Sequence, residues 1–120
     1  RFGEVDVQQL IAEEAVLITD YSSLASDAAY AGRPVVYYQF DRDEFFGGVE
    51  FRRLGTWSYE HDGFGPVTET VDATLAALER IARAGGAESP YASRIEHAFP
   101  LRDGHCCERT VAAIRAITGR

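Results

Sequence analysis

Ala15-Val16-Leu17-Ile18-Thr19-Asp20-Tyr21-Ser22-Ser23, then an alanine-rich run to Ala31, then Gly32-Arg33-Pro34-Val35-Val36-Tyr37-Tyr38, is the stretch that decides the fold. Residues 15–19 form a short, continuous apolar run containing branched side chains, which reads as a strand buried on both faces. Asp20 to Ser23 form a turn, and Leu24 to Ala31 a helix that Gly32 can close in a left-handed conformation. Pro34 opens a second buried strand over residues 35–38. Strand, turn, helix and strand in this order make a βαβ unit, whose strands run parallel through a right-handed crossover. The expected class is α/β with a parallel, Rossmann-like sheet.

Upstream, Val5 to Ile11 begin a short helix that Asp6 can cap, with Leu10 and Ile11 as its apolar face. Downstream, residues 41–64 lack periodicity and are rich in Gly and aromatics, which predicts a loop with short irregular pieces over one end of the sheet. Gly65-Pro66-Val67 reads as a return to the sheet edge. Glu69 to Ala84 carry Val71, Leu75, Leu78 and Ile81 at helical spacing, and Gly85-Gly86 end that helix. A short helix over Glu88 to His97, a turn at Asp103-Gly104 and an amphipathic helix from Cys106 to Ile117 complete the pass. The 120 residues suit a single domain, and a start at Arg1 rather than Met leads us to expect a fragment of a longer protein.

With 46% hydrophobic and 12% aromatic residues the chain can bury a core, while its net charge of -7 argues against general nucleic-acid binding, which needs clustered Lys and Arg. A diphosphate remains possible, because one loop and one or two cations can hold it locally. Cys106 and Cys107 are adjacent, a poor geometry for a mutual disulfide, and are the only two cysteines, which favours a reducing compartment. His61, His97 and His105 show no metal-ligand spacing, so neither a metal nor another cofactor is expected. No stretch approaches the roughly 20 apolar residues of a membrane span.

The strongest chemical signal is Thr19-Asp20-Tyr21-Ser22-Ser23 between strand and helix. Ligands of open parallel sheets sit beyond the carboxyl ends of the strands. Backbone amides and two hydroxyls there could all donate to a phosphate. The plain alternative is that one serine caps the helix, although a cap needs only one hydroxyl. Asp27, one turn after Ser23, would bind a ribose or polyol hydroxyl or satisfy first-turn amides. Asp20 can tie the turn to neighbouring amides, and Tyr21 can pack or stack on a ligand. Arg52 and Arg53, in the aromatic loop, and Arg109, on the last helix, are candidate phosphate contacts. For Arg109 a pairing with Glu108 or Asp103 is the simpler expectation, and for Arg33 a surface position.

Leu17 to Ser23, then Asp27, then Gly32-Arg33-Pro34-Val35-Val36-Tyr37-Tyr38 and Asp41, resemble the CDP-glycerol glycerophosphotransferase family of teichoic-acid polymerases and primases. Gly65-Pro66 and the tail residues Phe99, Asp103, Gly104 and Arg109 also look like that family's closing segment. The resemblance implies a GT-B architecture, with this chain as the later half of the C-terminal, donor-nucleotide-binding domain. Ser22 and Ser23 would hold the pyrophosphate of CDP-glycerol, and Asp27 would make a nearby donor contact. A lipid-linked polyol-phosphate acceptor of teichoic-acid or capsular type would attack the distal phosphorus, with CMP leaving. A cytoplasmic protein, peripheral at the inner face of the cell membrane, follows from the same resemblance. Two departures stand out: Ser26 replaces the aromatic usual before the matched Asp27, and none of the three histidines matches the family's important ones. The catalytic groups are therefore expected upstream, and the chain alone is expected to be inactive. Two other readings are a sugar-nucleotide glycosyltransferase or epimerase of the same architecture, and a non-catalytic nucleotide-binding domain.

Overall fold

The computed structural model of the chain describes residues 6–47 and 57–119. Three strands, β1 (Leu17–Thr19), β2 (Val35–Tyr38) and β3 (Val67–Thr68), form a parallel sheet in the order β1-β2-β3. Leu17 pairs with Val35 and Tyr37 with Val67. Around the sheet lie α1 (Val7–Glu13), α2 (Leu24–Tyr30), α3 (Arg42–Gly47), α4 (Tyr59–Asp62), α5 (Val71–Ala84), α6 (Tyr91–Ala98) and α7 (Cys106–Thr118). The parallel βαβ unit expected from residues 15–38 is present, and the architecture is α/β.

Alternation along β2 divides the core. Side chains of successive strand residues point to opposite faces. Val35 and Tyr37 join a cluster with Ile11, Ala25, Ala28, Ala29 and Ile95, drawn from α1, α2 and α6, and with Phe64 from the segment after α4. Val36 faces the other way, against Ala77 and Ile81 of α5. Helices thus cover β2 on both sides, and its three inner residues are at most 1% exposed. Burying each of these side chains stabilises the fold by roughly 1.5–3 kcal/mol. On α2 the buried residues are all alanine, at i, i+3 and i+4, so the helix backbone can lie close to the strand.

Local signals end the helices, at Asp6 and Gly85 as expected. Asp6 Oδ1 accepts from the amides of Gln8 and Gln9 at the start of α1. Thr70 Oγ1 accepts from Ala73 N at the start of α5, and Gly85, at φ +72°, closes it. Between α5 and the sheet the hydroxyls of Thr68 and Thr74 meet at 2.7 Å, both buried.

Two expectations need correction, on β1 and on Arg33, and two of the expected helices, α5 and α7, leave much of their apolar stripe exposed. β1 is not buried on both faces: Ile18 is 47% exposed, because β1 is the edge strand of the described sheet and α5 packs on β2 and β3 instead. α5 buries Thr74, Ala77 and Ile81, while Val71 and Leu75 are more than half exposed, so its inward face is turned from the apolar stripe of the sequence. α7 is amphipathic in sequence, yet none of its residues is buried and Ile114 and Ile117 face no described partner. Arg33 is half-buried rather than free at the surface, and its Nη2 donates to the carbonyl of Ala12 at the end of α1.

The middle segment contributes α3 and α4, which pack aromatic rings over the carboxyl end of the sheet. Val5, Arg52 and Arg53 lie outside the described residues.

Candidate functional site

The turn after β1 is organised by its own side chains. Asp20 Oδ1 accepts from Tyr21 N at 2.6 Å and from Ser22 N at 3.2 Å. Ser22 Oγ accepts from Leu24 N at 3.2 Å, so Ser22 is the serine that satisfies the start of α2. Ser23 adopts right-handed helical angles and makes no capping bond, and its exposed hydroxyl has no partner among the described residues. The two serines therefore differ: Ser22 Oγ accepts a bond within the turn and keeps its own O–H to donate, whereas the Ser23 hydroxyl makes no bond among the described residues. Thr19 ends β1 half-buried beneath them.

Tyr21 is packed. Its ring lies on Phe45 at 3.4 Å and 2° between planes, edge-on to Phe46 and Tyr59. Its hydroxyl donates to Asp41 Oδ1 at 3.0 Å. Burial, and next the Asp41 carboxylate that accepts this bond, push its pKa up to about 12. Tyr59 donates to the carbonyl of Tyr21 at 3.4 Å. Burial raises its pKa as well, followed by the charge of Asp20, with Arg42 opposing.

Gln39, one residue beyond β2, carried no weight in the sequence reading. It is fully buried, and its Nε2 donates to the carbonyl of Asp20 at 3.3 Å while its backbone N donates to Thr68 O at 2.7 Å. It thereby ties the β1 turn to the ends of β2 and β3. Its Oε1 is buried without a hydrogen-bond partner. The available signal was an amide side chain directly after four apolar and aromatic strand residues, where the sheet's carboxyl edge must lie.

Asp27 sits one turn after Ser23 on the exposed side of α2 and lines a cleft of about 340 Å³ with Gln8 and Ile11 of α1. It shares a helix face with Ser23 and borders a cleft towards α1. Arg109 is placed elsewhere. Its Nη1 donates to both oxygens of Asp103, at 3.0 and 2.8 Å, and its Nη2 to Leu101 O. This bidentate pairing, and next the His105 amide, hold the Asp103 carboxyl below its usual range. Beside the pair, Cys106 Sγ lies 3.5 Å from the hydroxyl of Tyr30, the last residue of α2. Arg109 thus stands at the opposite end of α2 from Ser23.

A second cavity, of about 450 Å³, opens between α3 and α4, bordered by Arg42, Asp43, Phe46, Trp57, Tyr59 and Glu60. Arg42 pairs with Glu60 and lies over the Phe46 ring at 5.7 Å. Burial pushes the Glu60 carboxyl up, but its backbone amide and the Arg42 guanidinium outweigh this, leaving it below its usual value. His61 and His97 border a third cavity, about 460 Å³, while His105 pairs with Glu108 at 3.1 Å. Among the described residues no group of three or more His, Cys, Asp or Glu converges to hold a metal ion, and no helix is long and apolar enough to cross a membrane.

Comparison with known proteins bears on the family. Over 111 residues, 89% of the chain, it is 32% identical to the minor teichoic acid biosynthesis protein GgaB of Bacillus subtilis (strain 168), of which it covers 11%. It is 27% identical to the teichoic acid ribitol-phosphate polymerase TarL of Staphylococcus aureus (strain NCTC 8325 / PS 47), over 88% of the chain and 18% of that protein. With the teichoic acid glycerol-phosphate transferase of the same strain it shares 33% identity over 63% of the chain and 19% of that protein. The chain spans less than a fifth of the length of these relatives. No solved structure matches. The sequence profile described as CDP-glycerol:poly(glycerophosphate) glycerophosphotransferase matches residues 3–116, and the chain belongs to that family.

Proposed function

We propose that the chain forms part of the donor-binding domain of a polyol-phosphate transferase, and that the loop from Thr19 to Ser23 holds the diphosphate of CDP-glycerol or a closely related nucleotide donor. Family membership over residues 3–116 supports the reaction class, and the Ser23 hydroxyl, which has no partner among the described residues and lies beyond the carboxyl end of a parallel strand, is the observation that carries the site. In this reading Ser23 donates to a phosphate oxygen, while Asp20 and Ser22 fix the turn and Gln39 fixes it to β2. Asp27, on the same helix face as Ser23, takes a hydroxyl of the ribose or polyol, because its charge would repel a phosphate. Tyr21 contributes packing through Phe45 rather than a ligand contact. Arg52 and Arg53 supply positive charge to the same diphosphate.

The step is phosphoryl transfer. A hydroxyl oxygen of a lipid-linked, teichoic-acid-type acceptor forms a bond to the distal phosphorus, the bond from that phosphorus to the bridging oxygen breaks, and CMP leaves. Such chemistry rests on positioning and charge stabilisation. The groups that move protons belong to other parts of a GT-B protein working at the inner face of the membrane.

Ser23→Ala in the full-length protein tests the site. Loss of a hydrogen bond to a charged group weakens CDP-glycerol binding by about tenfold or more, with an unchanged melting temperature. Equal donor affinity in variant and parent would remove Ser23 from the site.

A further inference from the structure

Among the described residues the buried polar side chains are those of Thr68, Thr74 and Gln39. The two threonine hydroxyls bond each other at 2.7 Å and are satisfied. Gln39 is not. It is fully buried, its Nε2 donates to the Asp20 carbonyl at 3.3 Å, and its Oε1 has no hydrogen-bond partner among the described residues. Turning the amide round would set its oxygen against the carbonyl oxygen of Asp20, so the orphan acceptor belongs to the residue type. The backbone of Gln39 is meanwhile used on both sides: its N donates to Thr68 O at 2.7 Å, and its O accepts from Arg42 N at 3.3 Å. Continuing the alternation of β2, the side chain falls on the face of Val35 and Tyr37, where the cluster around α2 is apolar. A buried acceptor left unpaired costs more than one long neutral hydrogen bond returns. On stability alone an apolar side chain of similar volume would serve better here. Departures of this kind gather at functional sites.

What the amide supplies is a fixed peptide plane. The Asp20 carbonyl and the Tyr21 amide belong to one planar unit and point opposite ways. Gln39 holds the oxygen of that unit, and Asp20 Oδ1 holds its N–H at 2.6 Å. Tyr59 holds the next carbonyl, that of Tyr21, at 3.4 Å. Without Gln39 the first plane can turn over and present an oxygen where a hydrogen stood, which an anion beside the turn would meet as a repulsion. We infer that Gln39 is a positioning residue for the donor: by holding the Asp20–Tyr21 peptide it sets the affinity of the turn for the diphosphate, although it lowers the stability of the fold. The inference rests on the donor reading above and separates what this residue does for binding from what it does for folding.

Gln39→Met and Gln39→Leu in the full-length protein test it, since both side chains have similar volume and neither can donate. Each variant melts within about 2 °C of the parent or above it. With CDP-glycerol as the donor, KM rises about tenfold while kcat stays within about threefold of the parent. Damage to folding gives the opposite pattern, because a smaller folded fraction lowers the apparent kcat and leaves KM alone. A larger fall in melting temperature in both variants, or their failure to fold, would make Gln39 a structural residue and overturn the inference. Parent-like KM in both, alongside weakened CDP-glycerol binding in Ser23→Ala, would remove Gln39 from the site and leave the donor loop standing. A parent protein that neither binds nor turns over CDP-glycerol would overturn the donor reading, and the role of Gln39 with it.

Discussion

Gly65 is where β3 meets β2, and replacing it with alanine tests the sheet from which the site is built. A Cβ placed on Gly65 would lie 1.7 Å from the carbonyl oxygen of Val35, 2.5 Å from its carbonyl carbon and 3.3 Å from its Cα. All three atoms are backbone, and they belong to the central strand, so no side chain can swing aside. The variant must push β3 away from β2 and lose part of the pairing of Tyr37 with Val67 and Tyr38 with Thr68. Overpacking of this kind costs about 3 kcal/mol or more. For a domain of 120 residues, at about 4 °C per kcal/mol, the melting temperature should fall by roughly 12 °C. Thermal unfolding followed by circular dichroism measures this. Gly47→Ala is the control: its added methyl meets nothing within 4 Å, at the end of α3, and should change stability by less than about 0.5 kcal/mol. Coincident melting curves for Gly65→Ala and the parent would refute the close approach of the two strands.

Ser22→Ala should lower stability by about 1 kcal/mol through loss of the bond to Leu24 N, measurable in urea, unlike the neutral change expected for Ser23. Tyr21 should titrate near pH 12, with its tyrosinate absorbance missing in Tyr21→Phe. Because its folded pKa lies above the unfolded value of 10, the stability it contributes is complete below pH 10 and is lost as the pH rises towards 12. Unfolding free energies that stay level across that interval in the parent, relative to Tyr21→Phe, would contradict the packing described. Arg109→Ala should leave nucleotide affinity unchanged, since Arg109 is engaged with Asp103 at the far end of α2, and a clear loss of affinity would show that it reaches the donor.

The βαβ unit was legible because its signals are local. An apolar run, a polar turn, small helix residues and Gly-Arg-Pro each specify backbone shape within a few residues, and β1, α2 and β2 appear where they point. The helix ends at Asp6 and Gly85 were legible for the same reason. What sequence could not show depends on what packs against what. The inward face of α5 is set by the meeting of Thr74 with Thr68, a contact invisible to a hydrophobic count. Ile18 looks like a core residue until the sheet order makes β1 an edge. In the candidate site, the sequence located the turn and anticipated that Asp20 would bind amides and that one serine could cap the helix, but not which one. Their difference comes from a single hydrogen bond, to Leu24. Gln39 and the aromatic cavity were missed because both depend on the chain returning to the sheet end from residues distant in sequence.

The carboxylate of Asp20 already occupies the amides of Tyr21 and Ser22. The bend is therefore shaped before any partner arrives, by a group of the same sign as the anion proposed to settle beside it. Dissolved ions weaken contacts between a phosphate and cationic side chains, yet they also shield an incoming anion from this resident charge. Affinity at the bend should accordingly decline more gently with ionic strength than at a site built from arginines alone.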